Sequence, residues 1–171
     1  MASKRLETAK VFINHFATLD REALESVLAE NSLYQFAPAA LNLFGPLDRQ
    51  GMLDHNTTLR NIFNGFAVIP KEYIDSEIDN KVVVWATSRT DFRDDAKDDG
   101  LRAEDWVYEG EYVFILSMDE AGERITRVIE FLDSKKTAEK LVGLMARAKQ
   151  NRAKNGLDRG SDSYCPGDMY D

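Results

Sequence analysis

The chain has 171 residues, 43% of them hydrophobic and 30% charged, with a formal net charge of −8. That length fits one domain with a real core, and a negative surface repels both a nucleic-acid backbone and an anionic membrane. A single cysteine, Cys165, excludes an internal disulfide, and two histidines, His15 and His55, exclude a three-histidine metal centre.

The opening MASKRLETAKVF runs into an amphipathic pattern without a long apolar stretch, and no later segment reaches membrane-spanning length. A cytoplasmic protein is the expectation. Leu6, Ala9, Ile13 and Phe16 recur at helical spacing, and Asp20 is placed to cap a second short helix carrying Leu24, Val27 and Leu28. Residues 31–46 read as an irregular segment in which Tyr34, Phe36, Leu41, Leu43 and Phe44 lie among Pro38, Gly45 and Pro46. So apolar a turn-rich stretch predicts a loop folded over something. Asp48 then caps a third helix, with Met52, His55, Leu59 and Ile62 on one face and Gly65 placed to end it.

From there the pattern turns to strands, at residues 66–78, 81–92, 104–118 and 123–133, rich in Val, Ile, Tyr, Phe and Trp. Asp79-Asn80 and residues 119–122 supply hairpin turns, and the charged connection 93–103 reads as a mobile hairpin loop. A last helix begins near Ser134 and carries Leu141, Leu144 and Met145. The expected organisation is one domain over residues 1–150 and a polar, flexible tail over 151–171. Helices followed by a run of antiparallel strands predict an α+β fold: a cone-shaped, curved antiparallel sheet wrapped around N-terminal helices, with a C-terminal helix and a cavity at its mouth.

The segments LETAKVFINHFATLDREALESVLAENSLYQF, GPLDRQGMLDHNTTLRNIF and GERITRVIEFLDS resemble the NTF2-like superfamily and, within it, the SnoaL-like branch of small-molecule enzymes. The resemblance spans roughly residues 5–150 and rests on element order and residue type. YEGEYVF followed by RVIEFLDS is most similar to small fungal isomerases and cyclases of secondary metabolism, in which a tyrosine pair and a late-strand glutamate line the cavity. It implies such roles for Tyr108, Tyr112 and Glu130 here. No arginine occurs in residues 34–46, where some of these isomerases carry a substrate-gripping one.

Strand alternation supplies a separate reading. Trp106, Tyr108, Tyr112, Phe114 and Leu116 share one side of their strand, and Thr126, Val128, Glu130 and Leu132 share one side of the next. If these sides face the cavity, Glu130 is a desolvated carboxyl able to move protons near neutral pH, and the tyrosines can hold a substrate oxygen. The alternative places Glu130 outside, paired with Arg124 or Arg127, and makes the tyrosines plain core residues.

His55 is either a helix-packing residue or a second proton carrier, and Asp133 is placed to cap the last helix. Phe36, Phe44, Phe63 and Trp106 are expected to shape the pocket. Trp85, Arg89 and Asp91 share a strand face that either binds a polar substrate group or lies on the surface. Asp94, Asp95, Asp98 and Asp99 lack calcium-loop spacing and read as solvated. With no phosphate-cradling glycine loop and no nucleophile elbow, no cofactor and no metal are expected.

The sequence thus predicts a cofactor-independent isomerase or cyclase that works by acid–base catalysis on an apolar polycyclic intermediate. A dehydratase or hydrolase in the same pocket, or a non-catalytic binding module, is the competing reading. A homodimer is expected through an outer sheet face carrying Val113, Ile115, Ile129 and Phe131.

Overall fold

The computed structural model describes residues 2–43 and 45–157, so Phe44 and most of the expected tail, Cys165 included, lie outside the described residues. Helix α1 (Lys4–His15) is capped by Ser3, and α2 (Arg21–Val27) by Asp20, whose carboxylate accepts from the Ala23 amide at 3.0 Å. α1 buries Ala9, Phe12 and Ile13 completely. Helix α3 (Arg49–Arg60) starts as expected at Asp48, which accepts from the Gly51 amide at 2.7 Å.

A six-stranded sheet wraps around these helices in the order β2-β1-β6-β5-β4-β3. Strands β3 (Phe63–Ser76), β4 (Lys81–Phe92), β5 (Glu109–Met118) and β6 (Ile125–Leu132) form the expected antiparallel meander. The first hairpin turn is closed by Asn80 with a positive φ of 50°, a conformation asparagine tolerates. Along β5 and β6 the inward residues Tyr112, Phe114, Leu116, Val128, Glu130 and Leu132 are all buried. α+β architecture therefore stands as read from the pattern of elements.

Three local expectations are corrected. Much of the segment read as irregular is strand β1 (Leu28–Ala37), which lies parallel to β6 and pairs at its outer edge with the short β2 (Leu47–Asp48). The sheet is accordingly mixed. Only the part between β1 and β2 is a loop, with a 3₁₀ turn at Ala39–Leu41.

Gly65 does not end α3, which is capped by Asn61. It lies inside β3, where a Cβ would overlap the Ala17 carbonyl, and the adjacent Phe66 amide donates to the Phe16 carbonyl at 2.9 Å. Glycine is needed there because β3 crosses the α1–α2 turn at backbone contact.

Nor does the charged connection after β4 hang free. Arg147 grips the Asp98 carboxylate with two nitrogens, at 2.7 and 2.6 Å, and the Asn151 amide donates to Asp98 and to the Ala96 carbonyl. Asp95 is held by Arg93 and Arg152. These bonds keep Asp95 at a pKa of about 2 and Asp98 well below the usual carboxylate range.

The chain ends in a short helix α4 (Ser134–Lys136), a π-helical turn (Thr137–Leu141) and α5 (Val142–Lys154). Asp133 caps this assembly, accepting from the Lys136 amide at 3.1 Å. Among the described residues no helix is long and apolar enough to cross a membrane.

Candidate active site

A cavity opens between the inner face of the sheet, α3 and the C-terminal helices. Its floor is made of buried groups, Phe66 from β3, Tyr112 from β5 and Glu130 from β6. Half-buried Phe36, His55, Leu59, Met145 and Lys149 form its mouth. The interior offers about 110 Å³ to the centres of water-sized spheres. That is room for on the order of eight waters, or roughly 250 Å³ of liquid, approaching the volume of small-ligand pockets.

Glu130 occupies the floor because β6 alternates, putting Val128, Glu130 and Leu132 inward while Arg127 bonds Gln35 on the outer side. Its residue is 8% exposed. Burial raises the carboxyl to a pKa of about 7, and the Tyr34 hydroxyl, which donates to Oε2, restrains the rise. Tyr34 reaches it because the parallel register sets Tyr34 beside Val128 and Phe36 beside Glu130. Burial and the neighbouring Glu130 push the Tyr34 hydroxyl well above its ordinary value, so it stays a donor. The alternation Ser32, Tyr34, Phe36 carried a signal for this inward face, obscured by the prolines and glycine that follow.

Tyr112 stands beside the carboxyl, its ring stacked on Phe114 with centroids 5.8 Å apart. Burial, then the nearby Tyr108 and Glu130, push its hydroxyl well up. Tyr108 does not line the cavity; it backs Tyr112, with its hydroxyl 3.0 Å from the Thr137 Oγ1. Gly110 makes room for it: a Cβ there would lie 2.8 Å from the Tyr108 Cζ. The floor thus sets Tyr112 next to the Tyr34–Glu130 pair, with Tyr108 behind it, hydrogen-bonded hydroxyl to hydroxyl with Thr137.

His55 lines the mouth, with its ring 5.9 Å from that of Phe36. Burial and then the charge of Lys149 lower its pKa to about 4, so the imidazole is neutral at pH 7. Lys149 was not anticipated. It continues the stripe Leu141, Val142, Met145, Ala146 at helical spacing, and one cation in so apolar a stripe was the readable signal.

Besides Tyr108, four more of the residues expected at the pocket are elsewhere. Phe63 is buried against Phe66 and Phe92, with rings 5.5 and 4.5 Å apart, one layer behind the cavity. Trp106 belongs to a 3₁₀ turn (Ala103–Trp106) rather than to β5, and packs on Phe92 with Arg147 over its ring. Trp85 and Arg89 point to the outer face of β4, where Trp85 bonds Glu111 at 2.6 Å and lies under Lys71, and Arg89 pairs with Glu109. A strand cannot send residues of that parity inward without exposing Val84, Ala86 and Ser88. Among the described residues, no three His, Cys, Asp or Glu side chains gather as a metal site.

The curved sheet closing over helices is the fold of solved NTF2-like and SnoaL-like structures. Among solved structures, AusH from Aspergillus nidulans is 25% identical, with a TM-score of 0.64 over 77% of this chain and 84% of that one. BvnE pinacolase from Penicillium brevicompactum is 23% identical, with a TM-score of 0.71 over 85% and 96%. A putative SnoaL-like polyketide cyclase from Jannaschia sp. CCS1 is 13% identical, with a TM-score of 0.61 over 80% and 90%. No family model and no curated protein matches the chain.

Proposed function

We propose that the protein is a cofactor-independent isomerase or cyclase acting by acid–base catalysis on an apolar polycyclic intermediate of secondary metabolism. The observation that carries this reading is Glu130: a carboxyl on the floor of an apolar cavity, with a pKa of about 7 and a tyrosine donor on its oxygen. Such a group is present in both protonation states near neutral pH, the condition for taking a proton from one carbon and returning it to another. When Glu130 takes a proton beside a carbonyl, negative charge develops on the carbonyl oxygen. In this reading the Tyr112 hydroxyl, which burial keeps protonated, donates to it. Neutral His55 supplies a second proton acceptor on the mouth side. The apolar walls hold one conformer and exclude water.

The fold's likeness to a pinacolase and to a putative polyketide cyclase supports the general kind of chemistry. We also propose a homodimer in the cytoplasm. Phe131 is 50% and Trp85 42% exposed on the outer face, in register with Val113 between them, and Ile129 pairs beside Ile115 in the next row. Sedimentation at micromolar concentration should give two chains per particle, and a monomer would refute this.

The test of the reaction incubates wild type and Glu130→Gln with a metabolite extract of the encoding organism, followed by chromatography and mass. A product of unchanged mass formed only by wild type supports the isomerase. Loss of one water would make it a dehydratase, and equal conversion by both proteins would remove Glu130 from the mechanism.

A further inference from the structure

Two threonines line the cavity, Thr58 and Thr137, and their hydroxyls are engaged differently. Along α1 and α3 a threonine hydroxyl returns to its own helix: Thr8, Thr57 and Thr58 each donate to the carbonyl four residues earlier, at 3.1, 3.0 and 3.0 Å. Thr137 opens the π-helical turn, and its hydroxyl is bonded across the fold instead, 3.0 Å from that of Tyr108. We propose that Thr137 is a hydroxyl-recognition point, so that the ligand is a polycyclic alcohol or phenol whose oxygen meets Thr137 while another part of the molecule reaches Glu130. This rests on the cavity being the substrate site.

Three observations support it. First, the Thr137–Tyr108 pair has two hydroxyl hydrogens, and the bond between them uses one. With Tyr108 donating, the Thr137 hydrogen is left over; with Thr137 donating, its oxygen keeps a lone pair. A ligand hydroxyl, donor and acceptor at once, satisfies either arrangement, whereas a carbonyl satisfies only the first. Second, Thr137 is 3% exposed and shares its wall with Phe66, Leu132 and Leu141. Covering a polar group there with a methyl leaves it without a partner, so the site selects against a ligand that lacks the oxygen.

Third, Thr137 is held in place. Its amide donates to the Asp133 carbonyl at 3.0 Å, and its partner Tyr108 is fixed in turn by an amide bond to the Thr90 Oγ1 at 2.9 Å. The hydroxyl is therefore set before a ligand arrives. Of the buried polar residues lining the cavity, Glu130 and Tyr112 serve the proton transfer, and Thr137 is the one it does not use.

The experiment measures the binding of 2-naphthol and of 2-methylnaphthalene, which has a methyl in place of the hydroxyl, by equilibrium dialysis against wild type, Thr137→Val, Thr137→Ser and Glu130→Gln. The ratio of the two affinities cancels the apolar burial that the probes share. It should fall about tenfold from wild type to the isosteric Thr137→Val, and hold in Thr137→Ser and in Glu130→Gln. Binding of 2-methylnaphthalene by Thr137→Val shows that its cavity is intact. A ratio unchanged in Thr137→Val, or one that falls only in Glu130→Gln, overturns the recognition point and leaves the cavity reading standing. Failure of wild type to bind either probe overturns both.

Discussion

Replacing Glu130 by glutamine tests the buried carboxyl without any substrate. Moving a carboxyl from 4.5 to about 7 corresponds to about 3 kcal/mol, at about 1.4 kcal/mol for each tenfold. Between those two pH values the unfolded chain has released the proton while the folded chain still holds it. Stability from this group is therefore complete at acid pH, declines as pH rises from 4.5 to 7, and is absent above 7. Glutamine keeps an acceptor for Tyr34 and carries no charge. The two proteins should melt alike near pH 5, and at pH 8.5 Glu130→Gln should be the more stable by up to about 3 kcal/mol, roughly 6–12 °C for a domain of this size.

The buried His15 acts with the opposite sign: burial lowers its pKa to about 4, so its stability contribution is lost as pH falls below 6.5. With Glu130 gone that loss is unmasked, and the variant should fall more steeply on the acid side. Melting by circular dichroism at several pH values reads both arms. A stability difference that is the same at pH 5 and pH 8.5 would refute the desolvated carboxyl, and with it the reason for assigning it to proton transfer.

Other outcomes follow from the same geometry. Tyr34→Phe removes the hydrogen bond that restrains the Glu130 pKa, so the limb of the pH–rate profile set by this carboxyl should move to higher pH; an unmoved profile would show that the pair is not coupled in turnover. Gly65→Ala forces a methyl against the Ala17 carbonyl and should cost about 1–3 kcal/mol or more in a urea melt, a normal midpoint counting against the tight crossing. Arg89→Ala, on the outer face, should leave kcat and KM unchanged, and a loss of kcat would return this strand face to the site.

What the sequence made legible was local or periodic. Asp20, Asp48 and Asp133 cap where they stand, and strict alternation put Glu130 and Tyr112 on one inner surface. What it hid was long-range or out of phase. β1 has no hairpin to announce it, since its parallel partner lies some ninety residues away, and the turn residues of the loop that follows it read as one irregular stretch with it. The 3₁₀ turn at Ala103–Trp106 breaks the period of two, so Trp106 could not be assigned by counting back from Tyr112. Trp85 and Arg89 alternate as cleanly as an inward face would, and only the register with β5 decides that they are outside. The acidic run after β4 gave no sign that its partners, Arg147, Asn151 and Arg152, wait on the last helix.

The parallel contact between β1 and β6 also sets when the site comes into being. β3 to β6 are joined by neighbouring antiparallel pairings that the chain can form locally, whereas Tyr34 and Glu130 meet across 96 residues and close a long loop. A ribosome must release residues beyond Leu132 before β1 can pair fully with its parallel partner β6. The carboxyl therefore acquires its buried environment and its tyrosine together, when the two ends of the domain join, and an incompletely folded chain exposes an ordinary glutamate in place of a poised acid.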